Sequence, residues 1–292
     1  MTKNPVVSVE GLSLRYHDAE RRALDEVSFD VAEGEVIGIL GATGAGKSTL
    51  LKTLAGVIPR HEHDADYLGR IEVLGQDISE YRSLTDIAAR VGLVMQDPEV
   101  QLVNTVVREE LAWGMENRGV PVDEIQRRMD RAAELFGISN LLDRFTHALS
   151  GGEKQRVVVA SIFCLNPSVM LLDEPTSELD PAGTESVMRA IQVLASEGVT
   201  VLVVEHKVEE LAIYADRLMV LDAGKITGIG TPHEIFTGGQ APYRPQVMDI
   251  ALGLREKGAW PSDRLPLGID AAVEIWTSDP TNNVPQNQEA AR

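Results

Sequence analysis

Between residues 36 and 54 the chain passes from an unbroken apolar run, Val36 to Leu40, through Gly41-Ala42-Thr43-Gly44-Ala45-Gly46-Lys47-Ser48 into a helical stretch, Thr49 to Leu54. Glycines at this spacing let the backbone fold tightly around an anion, with successive N–H groups and the start of the following helix facing it. Lys47 would then reach the β and γ phosphates of a nucleotide, and the Ser48 hydroxyl would ligate magnesium. A buried strand feeding such a loop fits a parallel sheet covered by helices and leaves few other folds open.

Hydrophobic patterning agrees. Residues 6–31 alternate apolar and polar, as in Val7-Ser8-Val9, Leu12-Ser13-Leu14-Arg15-Tyr16 and Val27-Ser28-Phe29-Asp30-Val31, the period of half-buried antiparallel strands. Continuous apolar runs follow: Val36 to Leu40, Val91 to Met95, Val169 to Leu172 and Val199 to Val204. Runs buried on both faces and separated by helix-length stretches indicate parallel strands. Between the second and third runs, Glu109 to Leu142 is charged and helically periodic, with a break at Gly119-Val120-Pro121. This predicts a helical subdomain inserted at about residues 97–155 of a domain spanning 5–236. Gly238-Gly239, Pro242 and Pro245 mark a boundary. Beyond it a helical extension over 237–280 is expected, with short helices at Pro245 to Leu254 and Ile269 to Trp276, and a disordered polar tail over 281–292.

Composition narrows the partners. The formal charge is 27 − 45 = −18, with no basic stripe, which opposes nucleic acid. Of the 27 basic residues 20 are Arg, a bias that fits either a salt-rich cell or genome composition. The single cysteine, Cys164, lies in an apolar run and forms neither an internal disulfide nor a zinc site. No apolar stretch approaches the roughly 20 residues that span a bilayer, and the first ten residues lack a signal pattern. The expectation is a cytoplasmic chain able to sit on a membrane protein.

The third buried run ends in Leu171-Leu172-Asp173-Glu174-Pro175. An acid at a strand's carboxyl end lies beside the phosphate loop in such a sheet, where Asp173 would hold magnesium, usually through water. Glu174, one residue on, is placed to accept a proton from an attacking water.

Upstream, Leu149-Ser150-Gly151-Gly152-Glu153-Lys154-Gln155-Arg156 sets a second glycine pair at a helix start, a further anion site that the first loop does not need. With this stretch the chain resembles the ATP-binding cassette (ABC) ATPases, which are P-loop NTPases. The resemblance covers roughly residues 5–236. It implies an α/β domain with an antiparallel β subdomain, a helical subdomain and a short C-terminal extension. It also implies ATP and Mg2+ as ligands, and two chains paired head to tail. Carried over by position, residues 41–49, from Gly41 through Ser48 to Thr49, bind the phosphates. Ser150, Gly151 and Gly152 close on the γ-phosphate held by the other chain. Asp180, in Ser177-Glu178-Leu179-Asp180, lies in the loop linking the two sites, and His206 hydrogen-bonds the γ-phosphate. Tyr16 matches the aromatic that stacks on adenine. Glu178 departs from the pattern, since a small residue is commoner there.

Gln96 matches the residue that begins the segment between sheet and helical subdomain, its amide reaching magnesium and the attacking water. The longer run Gln96-Asp97-Pro98-Glu99-Val100-Gln101 is similar to that of the energy-coupling-factor importers of vitamins and of cobalt or nickel ions. So are Thr43, Glu109-Glu110-Leu111-Ala112-Trp113-Gly114, Val204-Glu205-His206, Tyr214-Ala215-Asp216-Arg217 and the tail from Pro245 to Trp276. The resemblance implies an ATPase at the cytoplasmic face of the membrane. Its partners would be a second ATPase chain, identical or related, a transmembrane scaffold and a substrate-binding membrane subunit. The ATPase of another ABC transporter class is the alternative, and a soluble ABC protein acting on DNA or ribosomes is disfavoured by the charge. Asp97 and Glu99 are expected to be free to pair with a basic helix of the membrane subunit, with Pro98 stiffening the loop between them.

Overall fold

The computed structural model describes residues 5–61 and 64–278, so the tail expected to be disordered lies outside the described residues. Two sheets organise the chain. An antiparallel sheet has the order β2-β1-β4-β5, with β1 Val7–Tyr16, β2 Leu24–Val31, β4 Ala65–Val73 and β5 Gln76–Asp77. A larger sheet has the order β10-β9-β3-β8-β7-β6, with β3 Val36–Leu40, β6 Val91–Val94, β7 Val169–Asp173, β8 Thr200–Val204, β9 Arg217–Asp222 and β10 Lys225–Gly230. Its strands are parallel except for β10, which pairs antiparallel with β9 at the edge. The parallel sheet expected from the apolar runs is therefore present, with β9 as a further buried strand that the run count did not include.

The helices are α1 Lys47–Leu54, α2 Val57–Arg60, α3 Leu84–Ala88, α4 Val107–Glu116, α5 Val122–Leu135, α6 Gly151–Cys164, α7 Pro181–Ser196, α8 Val208–Tyr214, α9 Pro232–Thr237, α10 Gln246–Glu256 and α11 Ile269–Thr277. No helix among the described residues is long and apolar enough to cross a membrane. α1 begins at Lys47, two residues before the apolar pattern suggested, and β6 ends one residue early at Val94.

Side chains alternate across the central strands, so one sheet serves two cores. Met170, Leu172, Val201 and Val203 enter a core shared with α4, α5 and α6, while Leu171, Leu202 and Ile39 enter one shared with α1 and the antiparallel sheet. In β1 the alternation changes parity: Val7 and Val9 are buried, then Leu12 and Leu14. The register shifts between Val9 and Leu12, where Gly11 has φ 61°, so an inserted residue keeps both halves of the strand facing the core.

α4 and α5 are separated at 117–121, where the glycine and proline were expected to break the helix. They pack with α6, where Phe136 and Phe163 meet edge-on at 5.9 Å. α6 also lies close on β6, since a Cβ on Gly92 would come within 2.4 Å of Ile162. After α9, helix α10 buries Met248 and Ala251, whereas α11 buries no residue.

Candidate nucleotide site

β3 delivers the chain to a loop whose shape excludes side chains at two points. Gly41 has φ 155°, and a Cβ there would lie 2.2 Å from the Leu221 carbonyl oxygen; Gly46 has φ 103°, and its Cβ would lie 2.3 Å from the Ala23 carbonyl oxygen. Ala42, Thr43, Gly44 and Ser48 are exposed, Ala45 is buried, and Thr49 is half-buried. Lys47 is 6% exposed, and its Nζ donates to the carbonyls of Gly41 at 2.8 Å and Ala42 at 3.1 Å. Burial lowers its pKa, while Glu174 and Asp173 pull it back upward.

The sheet register brings the acids to this loop. β6 and β7 pair Val94 with Leu172, and β7 and β8 pair Asp173 with Val204. Continued past the strand ends, this register sets residue 96 across from 174 on one side and residue 205, the neighbour of His206, across from it on the other. Asp173 is buried and hydrogen-bonded by the Ser48 side chain; burial pushes its pKa up, against the lowering effect of that bond. Glu174 turns out of the strand with φ 52°, and its N–H donates to the Val204 carbonyl at 3.0 Å. Its Oε2 accepts from Gln96 Nε2 at 2.8 Å, and its Oε1 lies 2.8 Å from His206 Nε2.

A second constellation forms at the start of α6. Ser150 caps α6: its hydroxyl accepts from Glu153 N at 3.3 Å, and Glu153 Oε2 accepts from Ser150 N at 2.8 Å. That backbone bond, with further help from Arg144, holds the Glu153 carboxyl below its ordinary value. Ser150, Gly151 and Gly152 line a groove of about 510 Å³ with Glu178, Leu179 and Asp180. Asp180 caps α7 through Gly183 N at 2.7 Å. Residues 41–48 do not line this groove. The chain thus gathers Gln96 and His206 on Glu174, with Asp173 and Glu174 beside Lys47 and Ser48 of the phosphate loop, while Ser150, Gly151, Gly152 and Asp180 line the groove at the start of α6.

The family described as ABC transporter matches residues 24–177. The energy-coupling factor transporter ATP-binding protein EcfA1 of Lacticaseibacillus paracasei is 42% identical, over 88% of this chain and 92% of the relative. The chain belongs to the ABC transporter ATPase family. The EcfA1 protein of Bacillus subtilis is 39% identical, over 95% of this chain and 98% of its own. The structure of cbiO1 from Clostridium perfringens, described as part of the ABC transporter complex cbiONQ, superposes with a TM-score of 0.74 at 32% identity. It covers 88% of this chain and 98% of its own. This ABC ATPase is an energy-coupling-factor type ATP-binding subunit, an enzyme whose ATP hydrolysis is coupled to transport.

Other sequence-assigned groups take definite places in the ATPase. The Tyr16 hydroxyl lies 3.2 Å from Thr49 Oγ1, so the end of β1 reaches the start of α1. Gln101 explains how β6 can stop: its Oε1 accepts from Met95 N at 2.7 Å and its Nε2 donates to the Leu93 carbonyl at 3.1 Å. The expectation that Asp97 and Glu99 are free is corrected. Asp97 Oδ1 caps the short turn 98–100 through Glu99 N at 2.8 Å, and Glu99 is ion-paired with Lys154 of α6. Both acids are engaged because the turn leaves an amide to satisfy and α6 sets a cation beside it.

Sequence reasoning assigned no role to Glu205 and Lys207, which flank His206. A charged residue at the end of the apolar run Val201 to Val204 was the available signal.

Proposed function

We propose that this subunit powers the uptake of a vitamin or a transition-metal ion across the cytoplasmic membrane. It would lie peripherally on the cytoplasmic face, paired with a second ABC ATPase chain, identical or related. A transmembrane scaffold and a substrate-binding membrane subunit complete the assembly. The observation that carries the catalytic half of this reading is the convergence of Gln96 and His206 on the two carboxylate oxygens of Glu174 beside the phosphate loop.

ATP lies along residues 41–49, with Tyr16 against the adenine and Lys47 released from the Gly41 and Ala42 carbonyls to hold the β and γ phosphates. The hard oxygens of Ser48 and Asp173 fit Mg2+, and a cation there would offset the burial that raises the Asp173 pKa. Magnesium, when bound, neutralises charge developing on the phosphates. Glu174 accepts a proton from the attacking water, and Gln96 orients that water from the other side of the acid. Each Glu174 oxygen meets one neighbour and keeps a second lone pair with which to accept from the water. Once ATP is bound, His206 turns its ring toward the γ-phosphate. Ser150, Gly151 and Gly152 of the second chain complete the phosphate contacts, and Asp180 carries the state of one site to the other.

The reading is tested by tagging the chain in its native cell, solubilising the membranes gently and identifying the co-purifying proteins. A multi-span scaffold together with a small substrate-binding membrane protein is the expected result. An extracytoplasmic binding protein with two ordinary permease subunits would replace it with another ABC transporter class.

A further inference from the structure

His206 is flanked by two charged residues that both grip one distant segment. Glu205, the first residue beyond β8, is 3% exposed. Its Oε1 accepts from both Thr176 N at 2.9 Å and Thr176 Oγ1 at 2.7 Å. Burial pushes its pKa up, while the two Thr176 bonds, the Lys207 charge and a bond from the His206 backbone work against that rise. Lys207, on the other side of His206, donates from Nζ to the Thr176 carbonyl at 3.2 Å and to Thr184 Oγ1 at 3.1 Å. Thr176 and Thr184 are themselves buried, and they bracket Ser177 to Gly183, the stretch that carries Glu178 and Asp180 past the groove at Ser150. Both residues therefore hold Thr176 at the start of this segment, Lys207 alone also reaches Thr184 in the first turns of α7, and between Glu205 and Lys207 stands the histidine that contacts Glu174.

Packing alone does not account for these residues. A buried carboxylate is costly unless its oxygens are satisfied, and an apolar side chain after Val204 would extend the core more cheaply. Glu205 receives three donors from two loops, so it fixes their relative position in a way that no aliphatic residue could. The Lys207 ammonium, with three donors on a long stem, spans the distance between the loop's ends.

We propose that Glu205 and Lys207 are positioning residues for ATP hydrolysis, bracing the 176–184 segment against His206 so that a second chain pressing on that segment moves His206 relative to Glu174. The inference rests on the reading of the chain as one half of an ATPase pair. Neither residue touches the reacting atoms. They act through His206, and their effect falls on turnover and on the coupling between sites rather than on nucleotide affinity.

The test uses the full-length chain in its purified assembly. Steady-state kcat, KM and the Hill coefficient for ATP are measured, together with the Kd of a fluorescent ATP analogue and the Tm. Lys207→Met is expected to lower kcat by about tenfold, since small misplacements of a catalytic group have effects of that order or larger. The analogue Kd and the Tm stay close to wild type, and the Hill coefficient falls toward unity. Lys207→Arg restores most of kcat, because a guanidinium reaches both oxygens. Thr176→Val, which removes one donor to Glu205, shifts kcat in the same direction. Wild-type kcat and Hill coefficient in both Lys207→Met and Thr176→Val would overturn the brace. So would losses of kcat, affinity and Tm in parallel, unrescued by arginine, which would leave a structural role only. Glu174→Gln, run alongside, separates the two levels: unimpaired turnover there removes the hydrolytic reading itself, and the brace with it.

Discussion

His206 Nε2 lies 2.8 Å from Glu174 Oε1, a contact made between residues that follow two neighbouring parallel strands rather than along one element. Its partner on the other oxygen, Gln96, follows β6 on the far side of β7. Glu174 is thus addressed from both flanking strand ends, and each approach belongs to a segment that communicates with a different part of the molecule.

Replacing Glu174 with glutamine keeps the shape of this junction but removes the proton acceptor. Glu174→Gln should bind ATP normally and hydrolyse it at least about a hundredfold more slowly, the usual contribution of a general base. Nucleotide binding and phosphate release, measured on the same preparation, check it. Near-normal turnover would remove Glu174 from that role.

Glu178 brings a carboxylate over the start of α6, since a Cβ on Gly151 would stand 2.9 Å from its Oε2. A second anion approaching that helix end meets like charge. Glu178→Ala should therefore lower the ATP concentration giving half-maximal hydrolysis by about two- to fivefold, the scale of a charge at a helix terminus. A titration of activity against ATP reads this directly, and an increase would show that the carboxylate helps rather than hinders.

Lys154 and Glu99 join α6 to the turn that follows Gln96. The pair is partly exposed, so breaking it should change stability by less than about 1 kcal/mol. Its expected effect is on coupling: Lys154→Glu and Glu99→Lys singly should depress substrate uptake more than ATPase activity, and the double exchange should restore uptake. Equal uptake in all three variants would show that the turn does not need the pair.

The capping pair of Ser150 and Glu153 carries a pH dependence. The folded-state pKa of Glu153 is lowered from the ordinary 4.5, chiefly by the Ser150 backbone bond. Its stabilisation is therefore complete above the ordinary value and is lost as pH falls through the lowered one. Glu153→Gln should lower Tm at pH 7 by about 2–4 °C, equivalent to roughly 1 kcal/mol for a cap. The two proteins should converge on acidification, and thermal melts across pH 7 to 3 measure it.

What was legible beforehand divides along physical lines. The phosphate loop was legible because Gly41 and Gly46 stand where carbonyls leave no room for a side chain, and residue identity alone reports that. The parallel core strands were legible because burial on both faces writes continuous apolar runs. β9 was passed over although its Leu218 to Leu221 run is as buried as the others, since it follows α8 closely and leads straight into β10. The engagement of Asp97 and Glu99 could not be read, because the cation meeting Glu99 lies 55 positions away. For Glu205 the sequence showed a charge after an apolar run, but not the threonine that satisfies it.

Glu174 keeps a left-handed backbone, φ 52°, that an L residue adopts at a cost of roughly 1–2 kcal/mol. Glycine would relieve it. Selection for thermal resistance alone would therefore favour Glu174→Gly and discard the proton acceptor with the strain, so at this position robustness and turnover are opposed.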